Sequence, residues 1–279
     1  MRPAKQFTPV MNNARQRNLA FTVIELIVVM AVIAVVMAWL LPALAYTRPK
    51  AQRLACSNNL KQIAVAFRTW ASANGGQMPQ FVPKSQGGDA DDVGYRVLSA
   101  TQSSSRGVAK MFLTMSNELS NPGILFCPAE SELTYRRMAT TFAGTVVGSG
   151  TVPYTNDLNV SYFIGVDATE LMPRMLLAGD HNLGGNGNPP TIPFLAAPTT
   201  GSAFWSLGTN FTANQGPAWL DFMHFKQGNV AMADASVEWF GRTNLQNALK
   251  SSGDRGRTAG NFTLANGAAG VGCNRIQLP

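Results

Sequence analysis

The stretch that decides the fold is AFTVIELIVVMAVIAVVMAWLLPALA, residues 20–45, which contains one charged residue, Glu25. Sixteen consecutive residues within it, 26–41, are apolar. With the apolar neighbours on both sides, the run reaches the roughly 20 residues that cross a bilayer as a helix. A carboxylate inside such a run costs free energy and is a candidate for a specific function. The stretch therefore predicts a membrane helix in which Glu25 has a role.

Basic residues precede this helix. The first twenty residues hold Arg2, Lys5, Arg15 and Arg17 and no acid. Because basic residues favour the cytoplasmic side of a membrane, we expect a cytoplasmic N-terminus and an exported body. Without the first twenty residues the net charge falls from +7 to +3. The body shows no Lys/Arg cluster with interleaved aromatic residues, so nucleic acid is not an expected partner.

Three kinds of N-terminal segment fit the apolar run. A secretory signal would be cut after Ala43-Leu44-Ala45, a signal anchor would stay uncut, and a prepilin would be cut before the run. The apolar part of a secretory signal is usually 7–15 residues long and uncharged. Glu25 and the length of the run therefore favour the prepilin interpretation.

Cleavage between Ala20 and Phe21 would give Glu25 a partner. The new ammonium group at Phe21 would lie one helical turn from Glu25, and in staggered parallel helices the two groups of neighbouring subunits would meet. Two buried charges then become one buried pair. The simpler explanation is that Glu25 reaches the cytoplasmic interface.

The segment AFTVIELIVV, residues 20–29, resembles the N-terminal signature of type IV prepilins and pseudopilins. That family usually has Gly where this chain has Ala20. The resemblance implies cleavage after Ala20 by a prepilin peptidase, N-methylation of Phe21 and subunit assembly through Glu25. Pro42 either kinks this helix, as in similar pilin helices, or ends the membrane span.

An amphipathic helix is predicted over residues 50–73. Its apolar residues recur at spacings of three and four and form one stripe that should pack on a sheet: Cys56, Leu60, Ile63, Ala64, Phe67, Trp70 and Ala71. Asn74-Gly75-Gly76 should end the helix, because glycine readily adopts the left-handed cap. Pro42 and Pro49 should bend or interrupt the long helix that starts at residue 21.

Further segments widen the resemblance to a large bacterial group of pseudopilin-like proteins. They are CSNNLKQI at 56–63, NGGQMP at 74–79 and PGILFCP at 122–128. His224 and Asp234 resemble the His-x9-Asp-Gly segment of that group's prepilin-processing-associated domain, with Ala235 in place of Gly. The resemblance leaves two states open for Cys56 and Cys127, a disulfide after export or two reduced, buried side chains.

The body should consist mainly of strands and loops. Strands are predicted at 160–166 and 175–178, and a hairpin is predicted from 229–233 and 236–240 around Asp234-Ala235. The predicted fold class is α+β, a long N-terminal α-helix packed on a C-terminal antiparallel β-sheet body with long loops. The predicted divisions are a leader at 1–20, a transmembrane and assembly helix at 21–46, and an extracytoplasmic body at 47–279.

Few sites for chemistry are predicted in the body. The three cysteines form no CxxC pair and both histidines are far from them in sequence, so neither zinc nor another cofactor is expected. Two interpretations fit His224 and Asp234. They form a metal or catalytic pair, or they are a hydrogen-bonded histidine and a turn-forming aspartate with separate structural roles. A calcium site from Asp180-His181, Asp221 and Asp254 lacks EF-hand spacing.

The function expected from the resemblance is a structural subunit of a pseudopilus of the type II secretion kind, and not an enzyme. Its partners would be a prepilin peptidase and methylase, related subunits and an inner-membrane assembly platform. One alternative is a secreted or membrane-anchored carbohydrate-binding or hydrolytic protein. In that case the first 45 residues serve only as its export signal or anchor. Another is a monomeric membrane-tethered protein that never polymerises.

Overall fold

The computed structural model describes residues 22–93, 107–130, 136–145, 148–185, 192–193, 204–212, 214, 216–254 and 273–279. The chain divides into two compact units, Met1–Thr47 and Arg48–Pro279. The predicted leader, Ala20 and Phe21 lie outside the described residues. The architecture is α+β, a long N-terminal apolar helix followed by a body built on a six-stranded antiparallel sheet.

The first helix, α1, runs from Val23 to Ala73. It continues through positions 42 and 49, so neither proline interrupts it as the sequence had suggested. A proline removes one backbone hydrogen bond, and the flanking turns still hold the helix. A bend at Pro42 stays a prediction.

The end of α1 is the predicted one. Gly75 has φ of 67° and Gly76 has φ of 78°, and the Gly76 amide donates to the Ala71 carbonyl at 2.8 Å. This is the 6→1 bond of a Schellman cap, with glycine in the left-handed position that an L side chain disfavours. The Asn74 side chain adds a bond to the Trp70 carbonyl.

The strands of the body form two sheets. The larger has the order β5-β9-β1-β2-β7-β8 and the smaller the order β4-β3-β6, with antiparallel neighbours throughout. The strands are β1 Tyr162–Gly165, β2 Leu176–Asp180, β3 Leu183–Gly185, β4 Ile192–Pro193, β5 Phe204–Ser206, β6 Ala218–Trp219, β7 Gly228–Met232, β8 Val237–Phe240 and β9 Arg275–Gln277. The strands predicted near 160–166 and 175–178 are confirmed as β1 and β2, within a few residues.

One face of the large sheet packs on the second half of α1. All seven residues of the predicted stripe are buried, and they share a core with Tyr162, Ile164, Leu177 and Ala231 of the sheet. Two short helices, α2 Val108–Thr114 and α3 Ser116–Leu119, join the same core. The predicted packing of the stripe on the sheet is therefore confirmed.

The opposite face of the large sheet is also covered. Phe163, Leu176 and Val230 point into a second core with Leu245 and Leu249 of α4, which spans Arg242–Ser251. The body therefore has more helix than the sequence had suggested. The spacing of four between the two leucines is typical of one helix face, but ten residues are a short window for detecting it.

The β7–β8 hairpin is confirmed, and its turn has three residues. The Ala235 amide donates to the Met232 carbonyl, and the Met232 amide donates to the Ser236 carbonyl. Ala235 has φ of 66°. This matches the three-residue loop in which a turn is followed by one left-handed residue, a position that suits glycine.

We expect Ala235→Gly to stabilise the chain by about 0.5–1 kcal/mol, because glycine lacks the Cβ that disfavours positive φ. Denaturant unfolding of both chains measures the difference. The matched control is Ala233→Gly in the same turn, where φ is not positive and glycine adds freedom to the unfolded chain. Equal destabilisation by both changes would show that Ala235 is not strained.

A second energetic feature is a buried acid next to α2. Asp89 is fully buried, and within the described residues neither of its carboxylate oxygens has a hydrogen-bond partner. Burial raises its pKa from 3.8 to about 7; Asp92 and Asp91 act in the same direction, and Lys110 and Lys84 oppose it. The folded chain therefore holds a proton on Asp89 at a pH where the unfolded chain has released it.

We expect Asp89→Asn to raise the free energy of unfolding by about 4 kcal/mol at pH 8 and to change it little near pH 4. In the native sequence, stability falls as pH rises from about 4 to about 7, because over that window the folded chain still binds the Asp89 proton that the unfolded chain has released. Unfolding at both pH values gives the gap between the two chains. Glu238→Gln, at an exposed position of β8 that does not act on Asp89, is the control. A gap that is equal at both pH values would contradict the prediction.

Candidate functional site

The start of α1 is the first candidate site. The Glu25 carboxylate accepts hydrogen bonds from the Thr22 amide and the Thr22 hydroxyl, both at 2.8 Å. The Glu25 amide in turn donates to the Thr22 hydroxyl at 3.4 Å. These reciprocal bonds form a capping box, which satisfies amides that the first helical turn leaves free. The T-x-x-E spacing of residues 22–25 is the signal in the sequence that indicates this cap.

The helix that follows the cap exposes its apolar side chains. Within the described residues, Val23–Leu41 is the one helix long and apolar enough to cross a membrane, and none of it is buried in the chain. Trp39 is 80% exposed and Val23 is 75% exposed. Water is a poor solvent for such a surface. The segment is therefore suited to a bilayer or to the apolar helices of other subunits, and it fits a membrane anchor.

The second candidate site is a buried polar cluster in the body. A disulfide bond joins Cys56 of α1 to Cys127, which follows a 3₁₀ helix at Pro122–Leu125. Its Cα atoms are 5.2 Å apart, and both cysteines are fully buried. Cys273 is free and buried. The bridge fastens α1 to a segment that is 71 residues further along the chain.

His224 lies against this bridge. Its Nε2 atom is 3.3 Å from Cys127 Sγ and 3.5 Å from Asp180 Oδ2. Burial and, to a smaller extent, the Arg53 guanidinium lower the pKa of His224 from 6.5 to about 4, against the opposing effect of Glu130. The imidazole is therefore neutral at physiological pH, with a lone pair available on one ring nitrogen.

The backbone around His224 has an unusual conformation. His224, Phe225 and Lys226 have φ of 40°, 51° and 59°. Three consecutive residues other than glycine in the left-handed region are strained, at roughly 1–2 kcal/mol each. The Asn182 amide group donates to backbone carbonyls on both sides of this turn, and Arg53 Nη2 donates to the His224 carbonyl at 2.9 Å. These bonds hold the strained turn in place.

Asp180 lies at the end of β2 and is completely buried. Its Oδ2 atom accepts hydrogen bonds from the amide and the side chain of Asn229, at 2.7 and 2.9 Å. Its Oδ1 atom has no hydrogen-bond partner in the described part of the chain. Burial raises the pKa of Asp180 to about 7, against the two bonds from Asn229.

The other candidate ligands predicted from sequence have separate partners. His181 Nε2 is 2.6 Å from Glu130 Oε2, and both side chains are buried. Asp221 pairs with Lys226 on the surface at 3.2 Å. Asp254 accepts a hydrogen bond from the Asn274 amide at 2.6 Å. The aspartates considered for a calcium site therefore have different neighbours.

Asp234 lies in the β7–β8 turn, where its carboxylate accepts a hydrogen bond from the Ser236 amide at 2.8 Å. The hydrogen bond from the Ser236 side chain and, next, this one from its amide lower the pKa of Asp234. Asp234 is exposed in its turn, whereas His224 is buried against Cys127. The two residues therefore have different surroundings. Asp234 thus has the local role of a turn-forming residue, and the contacts of His224 are with Cys127 and Asp180.

Comparison with known proteins gives one match. Residues 15–41 match the family model described as the prokaryotic N-terminal methylation motif. No curated protein and no solved structure matches the chain. The matched range contains the capping box and the whole exposed apolar helix. The N-terminal segment is therefore a prokaryotic N-terminal methylation motif, of the kind that marks type IV prepilin-like and pseudopilin-like proteins.

Proposed function

We propose that this protein is a structural subunit of a pilus-like fibre, of the pseudopilus kind used in type II secretion. The observation that carries the proposal is the methylation motif. It coincides with an apolar helix whose side chains are not buried by any other described part of the chain. Such a helix needs apolar surroundings. A bilayer supplies them before assembly, and the helices of neighbouring subunits supply them within a fibre.

In this proposal the chain is inserted in the cytoplasmic membrane with its N-terminus inside and its body outside. The four basic residues of the leader support that orientation, because cytoplasmic segments near a membrane span are enriched in Lys and Arg. A prepilin peptidase cuts after Ala20, and the new amine of Phe21 is methylated. The partners are that enzyme, related subunits and an assembly platform at the inner membrane.

The role proposed for the chain is mechanical. The apolar helices bundle, and the Phe21 amine of one subunit meets Glu25 of another, while the bodies tile the outside of the fibre. Pairing removes the cost of two separate buried charges. The body contributes a rigid unit whose helix is fastened by a disulfide and by the core on the large sheet.

The experiment that tests the proposal is the mass of the N-terminal peptide of the protein extracted from membranes. The expected peptide begins at N-methyl-Phe21. A peptide beginning at Tyr46 would identify a secreted protein, and an intact N-terminus would exclude processing. Ala20→Gly is the matched control, because it keeps a small residue before the cut, and Ala20→Phe should block the cut.

A further inference from the structure

Four side chains that metals favour converge beside the disulfide. One ligand atom from each of Cys56, Cys127, Asp180 and His224 lies within 4.8 Å of the other three. All four residues are buried. They come from α1, the segment after the 3₁₀ helix, the end of β2 and the strained turn before β7, so the tertiary fold brings them together. Two sulfurs, one imidazole and one carboxylate are a ligand set suited to tetrahedral zinc.

The carboxylate of Asp180 has the arrangement of a metal ligand. Its Oδ2 atom is held by two hydrogen bonds from Asn229, and its Oδ1 atom has no hydrogen-bond partner in the described part of the chain. Leaving a buried carboxylate oxygen unpaired is costly. The Oδ2 atom also lies 3.5 Å from His224 Nε2, so it is the oxygen that faces the histidine. Ligating carboxylates are commonly hydrogen-bonded by outer residues, and Asn229 supplies that contact here.

The placement of His224 supports the same conclusion. Three residues in the left-handed region direct its ring to within 3.3 Å of Cys127 Sγ. The strain of that turn requires compensation, which is a recognised property of functional sites. The hydrogen bond from Arg53 to the His224 carbonyl, at 2.9 Å, fixes the turn from α1. The imidazole is thus positioned beside a sulfur without being covalently tied to it.

We propose that reduction of the Cys56–Cys127 disulfide converts this cluster into a zinc site formed by Cys56, Cys127, His224 and Asp180. A dithiol reductant gives two electrons and two protons to the disulfide and is itself oxidised to a disulfide. Zinc then displaces the two thiol protons, which go to solvent, and binds two thiolates. The sulfurs must separate to about 3.8 Å, because each lies about 2.3 Å from a tetrahedral zinc ion.

The two states are mutually exclusive, because a sulfur bonded to its partner is not a thiolate ligand. Each state fastens α1 to the segment around Cys127, the first covalently and the second through the metal. Two thiolates, one carboxylate and Zn²⁺ have a net charge of −1. The Arg53 cation, which acts on both Asp180 and His224, offsets that charge.

Cobalt binding to the full-length chain in detergent tests the proposal. After reduction with a phosphine, we expect one Co²⁺ per chain, with intense visible bands of tetrahedral cobalt and a sulfur-to-cobalt charge-transfer band. Zinc should displace the cobalt and slow alkylation of both thiols at least tenfold. The oxidised chain should give none of these signals. Equal binding by the oxidised chain, or no binding by a folded reduced chain, would overturn the proposal.

Variants assign the ligands. Cys56→Ala and Cys127→Ala should each weaken the charge-transfer band at least twofold and together remove it, whereas Cys273→Ser, at a buried cysteine outside the cluster, should keep it. His224→Ala and the nearly isosteric Asp180→Asn should each weaken cobalt binding at least tenfold. His181→Gln is the matched histidine control.

Circular dichroism reports whether each variant is folded. If His224→Ala is not folded, the result for Asp180→Asn decides. Native cobalt affinity in folded Asp180→Asn would exclude the carboxylate and overturn the proposed site.

Discussion

Replacing both Cys56 and Cys127 by alanine is expected to lower the free energy of unfolding by about 4 kcal/mol. The bridge closes a loop of 71 residues. In the chain-entropy model, cross-linking a loop of that length removes about this much freedom from the unfolded chain. The loss is a large share of the 5–15 kcal/mol that usually stabilises a folded protein. Guanidinium unfolding followed by tryptophan fluorescence measures it.

The measurement needs a metal chelator in every sample, so that zinc does not replace the bridge in reduced protein. Adding a reductant should shift the midpoint of the native chain towards that of the double variant and leave the double variant unchanged. Cys273→Ser, which removes the free cysteine, is the matched control and should change the midpoint much less. Identical midpoints for the native chain and the double variant would mean that the bridge adds no stability.

The parts of the fold that could be predicted from the sequence are those that depend on local patterns of apolar residues and glycines. The α1 stripe repeats at three and four residues, and every predicted member is buried. The β7–β8 hairpin follows from two apolar runs around Asp234. The glycines at 75 and 76 mark the end of α1 because their left-handed φ values suit glycine. Each of these features depends on neighbours within a few residues.

The buried cluster was not predictable in this way. Cys127 and His224 are 97 residues apart in sequence and 3.3 Å apart in space. Distance along the chain was the reason for expecting no zinc site, and that reason fails because the sheet topology brings β2 and the turn before β7 to the bridge. Asp180 ends β2, where the pairing with β7 places Asn229 beside it. Nothing local in the sequence reports this pairing.

The role of Glu25 was inferred from its cost in an apolar run, and the structure adds a second role. The capping box with Thr22 satisfies the carboxylate within one chain, before any neighbour is present. A helix cap and the intersubunit ion pair proposed above are distinct roles for the same side chain. Charge distinguishes them, because glutamine preserves a capping box and carries no charge.

We expect Glu25→Ala to abolish fibre assembly, with at least a tenfold loss of sheared fibres in electron micrographs and immunoblots. Glu25→Gln should fail to the same extent, because the amide leaves the Phe21 ammonium of a neighbour without a counter-ion. Thr22→Ala weakens the cap by roughly 1 kcal/mol and keeps the charge, so its fibres should form. The N-terminal peptide mass of each variant shows whether cleavage and methylation still occur. Normal fibres from Glu25→Gln, together with none from Glu25→Ala, would make capping the function of Glu25 and remove the ion pair from the assembly mechanism.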